Sequence, residues 1–169
     1  MVNNPAYIHS YIVCADVFIR KSGKYLLMKR SKYKKYAPNI ISPFGGKLEM
    51  GENPCVGAIR EIKEEVGIEI CNLKLESVIL ELVEDKNEPV NRLVFQFSAD
   101  YKSGKIKSSE EGEAVLLSKE EILDSDLFPS VRSIIKNIFN PNDGTIFTTN
   151  KYSGFSKDMV EISKNVCVI

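Results

Sequence analysis

The chain has 169 residues, 43% of them hydrophobic and 27% charged. That is long enough for one domain with a proper core, and it excludes disorder, collagen-like repeats and coiled coil. Its 23 basic and 23 acidic residues cancel, so no whole-molecule field draws it to duplex DNA or an anionic membrane.

The four cysteines (Cys14, Cys55, Cys71, Cys167) lack any CxxC spacing, and His9 is the single histidine. A Cys/His zinc site is therefore excluded, and scattered buried thiols in a reducing cytoplasm are expected. The first residues lack the basic start and unbroken apolar stretch of a signal peptide. No run approaches the roughly 20 apolar residues of a membrane helix. The expectation is a soluble cytoplasmic protein, monomeric or homodimeric.

In chain order, "YIVCADVFIR", the turn "KSGK" and "YLLMKR" predict a β-hairpin. Residues 31–43 predict a loop leading to a short strand near Ile40–Ser42. A Gly-rich loop follows, then a helix over Pro54–Val66, with Asn53 as N-cap, Pro54 at N1 and Gly67 as C-cap. "NLKLESVILELV" and "NRLVFQFSADYK" predict two strands around the turn "EDKNEPV", and "EAVLLS" a further short one. Ser118 with Glu121 three residues on is a capping box that opens a short helix. "FPSVRSIIKNIFN" has the apolar spacing of a last helix. Beyond Pro141 the polar tail adds a strand, "GTIFTT", or wraps the surface. This order predicts an α+β fold, an αβα sandwich with a mixed β-sheet between helices. One domain spans residues 1–169, with its core at about 9–140 and a C-terminal extension over 141–169.

On the helix that starts after Asn53, Cys55, Ala58, Ile59, Ile62 and Val66 form the apolar side expected to face the sheet. Glu61, Glu64 and Glu65 lie three or four apart and project together from the other side. Three converging carboxylates repel one another, so they form either a solvated acidic face or a cation site. Hard divalent ions such as Mg2+ take carboxylate oxygens and share their shell with phosphates. Arg60 stands beside the carboxylates, and Gly45, Gly46 and Gly51 free the preceding loop.

The full spacing is Gly46, five residues, Glu52, seven residues, Arg60-Glu61-Ile62, one residue, Glu64-Glu65, one residue, Gly67-Ile68. It resembles the Nudix box, the signature of hydrolases that act on nucleoside diphosphates linked to another group. The resemblance implies that Glu61, Glu64 and Glu65 bind Mg2+ or Mn2+, with Glu61 or a later glutamate such as Glu64 as general base. It also implies that Glu52 supports that shell, Arg60 orients the carboxylates, and Gly46 and Gly67 are structural. A further acid is expected beyond the box from "SSEEGEAVLL", and among Glu110, Glu111 and Glu113 the choice falls on Glu111. Arg30 and Lys47 are expected to meet the substrate phosphates, whereas His9 is incidental.

"FGGKLEMGE" resembles the nucleoside-triphosphate pyrophosphohydrolases that cleanse nucleotide pools of oxidised dGTP, with Phe44 where those enzymes carry a proline. Phe44 is accordingly expected at the substrate. "LFPSVRSII" is similar to the base-pocket helix of that group, with Arg132 where some relatives place a base-reading amide. Marks of other substrate groups are absent. Pro89 lies twenty-one residues past the box rather than sixteen, Asp85 stands where a tyrosine would mark dinucleoside polyphosphates, and the chain has no tryptophan. The expected reaction converts a nucleoside triphosphate to monophosphate and pyrophosphate. The alternatives are another nucleoside diphosphate derivative (ADP-ribose, a dinucleoside polyphosphate, an RNA 5′ end) or a non-catalytic nucleotide sensor.

Overall fold

The structure is a computed structural model that describes residues 11–34, 37–84, 90–140, 144–153 and 160–168. His9, the turn residues 85–89 with Asp85 and Pro89, and residues 35–36 of the loop over 31–43 lie outside the described residues.

The first hairpin forms as its turn chemistry dictates. Strand β1 (Ile12–Lys21) passes through Ser22 and Gly23, both at positive φ, into β2 (Lys24–Arg30). Two positive-φ turn residues match the twist of the flanking strands. After the loop come β3 (Ile41–Ser42) and β4 (Phe44–Lys47), then helix α1 (Pro54–Val66). Two long strands follow, β5 (Ile68–Glu84) and β6 (Val90–Gly104), and then β7 (Gly112–Leu117). Helices α2 (Lys119–Leu123) and α3 (Pro129–Phe139) precede a terminal pair, β8 (Ile146–Ser153) and β9 (Val160–Val168).

These strands make one mixed sheet in the order β3-β2-β1-β6-β5-β8-β9, with β4 paired to β1 and β7 to β2. The β1–β6 and β5–β8 pairs are parallel and the other pairs antiparallel. One face carries α1, whose Ala58, Ile62 and Val66 pack on Ala15, Val17, Ile19 and Phe97. The other face carries α2 and α3, where Ile122, Val131, Ile134 and Ile138 cover Phe18, Leu27, Ile79 and Val94. Helices on both faces of a mixed sheet are the αβα sandwich that the element order predicts.

Both ends of α1 form as its sequence specifies. The Asn53 side chain accepts the Cys55 N–H, Pro54 opens the helix, and Gly67 closes it at φ 75° while donating to the Lys63 carbonyl. Ser118 and Glu121 make the reciprocal capping box of α2.

Three expectations need correction. The glycine stretch is not a loop: Phe44–Lys47 pairs along β1, because Gly45 lets the two backbones approach closely. The buried stripe of α1 is narrower than expected, with Ile59 half-exposed and Cys55 exposed. Helix packing needs only the residues on the contact line, where Gly57 joins the expected Ala58, Ile62 and Val66. The thiols are not uniformly buried, since Cys55 and Cys167 are exposed and Cys14 and Cys71 lie between. The strand expected in the tail forms as β8, pairing along β5, and β9 pairs beside it as a further strand. No helix among the described residues is long and apolar enough to cross a membrane.

Candidate active site

The C-terminal half of α1 leans its glutamates against β4 at one end of the sheet. Arg60 organises them. Its Nε and Nη2 donate to the two carboxylate oxygens of Glu52, each at 2.9 Å. Its Nη1 donates to Glu61 at 2.9 Å and Glu64 at 3.1 Å, and Nη2 also reaches the Lys47 carbonyl at 3.2 Å. A planar guanidinium suits this fork of acceptors in a way an ammonium does not. Glu52 also accepts the Glu49 N–H, so its carboxyl is held down at about 2, chiefly by the Arg60 hydrogen bonds.

Glu65 points the other way and accepts the Gly45 N–H at 3.2 Å. Burial pushes its carboxyl up to about 7, the Gly45 bond opposes the shift, and the charges of Glu111 and Glu61 add to it. Three acids from two segments therefore feel one another across this gap. Glu111, the loop acid chosen from sequence, acts at Glu65 by its charge. It is held by the Lys34 ammonium at 2.6 Å. Arg30 lines the same cleft, donates to the Ala37 carbonyl, and lowers both Glu65 and Asp16 by its charge. Lys47 lies on the rim with its side chain exposed.

The glycines act through the room they leave. A Cβ on Gly46 would stand 2.6 Å from the Glu61 carboxyl, so a bare glycine seats that side chain. Gly45, at φ 150°, lies against β1, where a Cβ would meet the Ala15 carbonyl. Gly57, which sequence reading passed over, leaves space for Leu48 and Glu52. An isolated glycine inside a helical pattern is the signal that could have found it.

Beside the glycines a cleft of about 200 Å3 runs between the sheet and α3. Strand register lines its floor: Asp16 pairs with Gln96 across β1–β6, and Glu81 with Arg92 across β5–β6. Glu81 is buried, accepts from Ser130, and lies 3.7 Å from Arg92. Burial, then the Glu81 and Glu65 charges, pushes Asp16 up to about 8. Phe128, Val131, Val94 and Met28 supply apolar walls. Asp16 and Glu81 were missed from sequence, although each is an acid interrupting an apolar strand pattern, which marks a deliberate placement.

Phe44, expected at the substrate, is not at the cleft, and neither is Arg132. Phe44 is 3% exposed and packed in the α1-side core, because strand alternation in β4 turns it there. Arg132 is exposed and donates to the Ser125 carbonyl, so α3 presents Ser130 to the cleft instead.

Among the described residues, no three acidic, cysteine or histidine side chains form a ready metal cage. Arg60 holds Glu61 and Glu64 while a backbone N–H holds Glu65. The donor set is nevertheless all carboxylate oxygen, which fits a hard divalent ion such as Mg2+ or Mn2+ and not a soft one. The glycine cradle at Glu61 and the mutual charge effect between Glu61 and Glu65 fit it as well.

The same region is shared with known proteins. Two Pseudomonas aeruginosa sequences named NAD-capped RNA hydrolase NudC are 30% identical over 127 residues, covering 70% of this chain and 39% of theirs. The Nudix hydrolase YvcI of Bacillus subtilis (strain 168) is 40% identical over 70 residues, covering 40% of this chain and 44% of YvcI. The chain thus spans less than half the length of these curated relatives. In fold it is similar to a MutT protein from Bacillus halodurans, with TM-score 0.77 and 23% identity over 92% of this chain and 97% of that one. A MutT protein from Methanosarcina mazei Go1 gives TM-score 0.66 at 23% identity, over 82% and 99%. Residues 10–138 match the NUDIX domain as a whole, and with the box held on α1 against its glycine strand, the chain belongs to the Nudix family.

Proposed function

We propose that the chain is a divalent-ion-dependent hydrolase of a nucleoside triphosphate, oxidised purines included, that releases nucleoside monophosphate and pyrophosphate. The observation that carries this reading is that Glu61 and Glu65 lie against Gly45 and Gly46, which with Arg30 line a cleft of about 200 Å3, and that Glu111 and Arg30 act on Glu65 by their charge. Sites that enclose whole drug-sized ligands run to about 300–1,000 Å3. The cleft therefore admits one base and leaves the phosphate chain outside, at the glutamates.

Glu61, Glu64 and Glu65 would hold the divalent ion, which would supply charge neutralisation at the phosphoryl oxygens and acidify the attacking water. Arg60 keeps Glu52, Glu61 and Glu64 in place. Arg30 and Lys47, at the cleft, bring positive charge to the phosphates. Although Arg60 also pairs with it at 3.1 Å, Glu64 is 61% exposed and within reach of water, which suits a proton acceptor. Glu111, beyond the box, supplies a further acid whose charge acts at Glu65. Phe44 has no part in substrate contact.

Hydrolysis of an RNA 5′ end is a second reading, favoured by the 30% identity to proteins named NAD-capped RNA hydrolase. Both are tested by incubating the protein with Mg2+ and a panel: ordinary and oxidised nucleoside triphosphates, ADP-ribose, and triphosphorylated and NAD-capped RNA, with product identification. The expected result is pyrophosphate from nucleoside triphosphates, abolished by EDTA and restored by Mg2+. Release from RNA alone would favour the second reading. No turnover of any member, with tight nucleotide binding retained, would establish a sensor and overturn both.

A further inference from the structure

Ser42 has the one buried side-chain polar atom that lacks a hydrogen-bond partner among the described residues. Such a group costs free energy wherever it is left unmet, so native proteins satisfy nearly all of them. Its position gives the reason. Ser42 ends β3, is held by register opposite Met28, and is followed by Pro43, whose ring restricts the Ser42 backbone to extended angles. Its neighbour Ile41 is spent on the α3-side core, whereas Ser42 lines the cleft.

Facing it across that cleft are Gln96, Ser130 and Glu81, polar groups carried by three other elements. Those groups have partners. Gln96 accepts the Ser77 hydroxyl at 3.3 Å, and Glu81 accepts from Ser130 and pairs with Arg92. The Ser42 hydroxyl is left over in an otherwise answered polar ring. Rotation about a single χ1 carries it between staggered positions, so it can turn toward whatever enters. The walls are apolar and the ring is polar, the arrangement that sandwiches a flat heteroaromatic ring and reads its edge.

On the reading of this cleft as a nucleotide site, we propose that Ser42 is a specificity-determining residue whose hydroxyl hydrogen-bonds the edge of the bound nucleobase, at an oxo or amino substituent. It contacts the base rather than the reacting phosphates. Its effect therefore appears in binding, and differs between bases.

Ser42→Ala tests this. Removing an unpartnered hydroxyl does not destabilise the fold, so the melting temperature of the variant should equal or exceed that of the wild type. On the preferred nucleoside triphosphate, kcat/KM should fall roughly tenfold through KM with kcat nearly unchanged, the worth of one hydrogen bond. Activity on the poorer bases should change less than about threefold, so selectivity flattens. Ser42→Thr, which keeps the hydroxyl, should retain the preference. A uniform loss across all bases, an unchanged selectivity, or a lowered melting temperature with selectivity intact would each overturn the proposal.

Failure of the underlying reading shows separately. Nucleoside binding, without phosphates, is measured by titration calorimetry on wild type and Ser42→Ala. Base-dependent binding that weakens in Ser42→Ala, in a protein that hydrolyses nothing, would uphold Ser42 and overturn the hydrolase. Absence of nucleoside and nucleotide binding alike would overturn both.

Discussion

The two halves of the site are built in opposite ways. The carboxylate half comes almost entirely from residues 52–65, and a single arginine in that stretch ties Glu52, Glu61 and Glu64 together. The cleft half draws Asp16, Ser42, Glu81, Gln96 and Ser130 from five separate elements, brought together by strand register and by α3 lying across the sheet. A helix fixes relative positions by spacing alone, since residues three and four apart share a face. A sheet fixes nothing until pairing is chosen, since a one-residue slip sends every side chain to the other face. The first half is thus a local device and the second a tertiary one, and they should fail differently under mutation.

The sharpest break comes at the carboxylates. Glu64→Gln should lower kcat by about 10^2–10^4-fold, the range of a lost proton-transfer group, with thermal unfolding unchanged because the side chain is mostly exposed. A variant that kept turnover within a few-fold would remove Glu64 from the reaction.

Next is Phe44, which the structure assigns to packing. Phe44→Ala should cost about 3–5 kcal/mol in urea unfolding, as a large buried aromatic does, and the folded fraction should keep its KM. A raised KM in a stable variant would return Phe44 to the substrate.

The cleft should announce itself through pH. Asp16 is pushed up to about 8 when folded, above its ordinary 3.8. A raised folded value contributes stability below the unfolded value that is lost as pH rises toward the folded one. Wild-type protein without divalent ions should therefore lose stability between pH 4 and pH 8, and Asp16→Asn should be flatter there. Near pH 8 the variant should be more stable by on the order of a few kcal/mol. Parallel pH curves for the two proteins would show that Asp16 ionises freely in the cleft.

The smallest expected effect joins the halves. Gly46→Ala places a Cβ 2.6 Å from the Glu61 carboxyl, the far end of a flexible side chain. Unfolding should change little, while activity falls roughly tenfold as Glu61 is displaced, the scale of one weakened charged hydrogen bond. Gly45→Ala is the contrast: its Cβ would meet backbone at positive φ, so stability should fall by about 1–3 kcal/mol or more.

The reach of the sequence follows the same division. The α1 boundaries, its caps, the capping box of α2, the first hairpin and the αβα order were all legible, because each rests on contacts within a few residues. The glutamates and Arg60 were legible for the same reason. Phe44 was misplaced because the glycine stretch is a strand, and only its pairing with β1 decides which side chains turn inward. Ile59 and Cys55 were misplaced because periodicity marks a broad apolar side, while the packing partner selects its contact line.

By itself, then, the sequence determined a single acidic helix with its carboxylates at i, i+3 and i+4 spacing, and the family whose box it carries. Spacing within one helix is a geometric constant, so no tertiary information was needed. Only the tertiary structure decided what faces that helix. The register of β1, β5 and β6 put Asp16, Gln96 and Glu81 on one floor, and α3 turned Ser130 toward them and Arg132 away. The Ser42 hydroxyl was left without a partner at that same cleft. Those contacts join residues many positions apart, and no local preference of the chain encodes them.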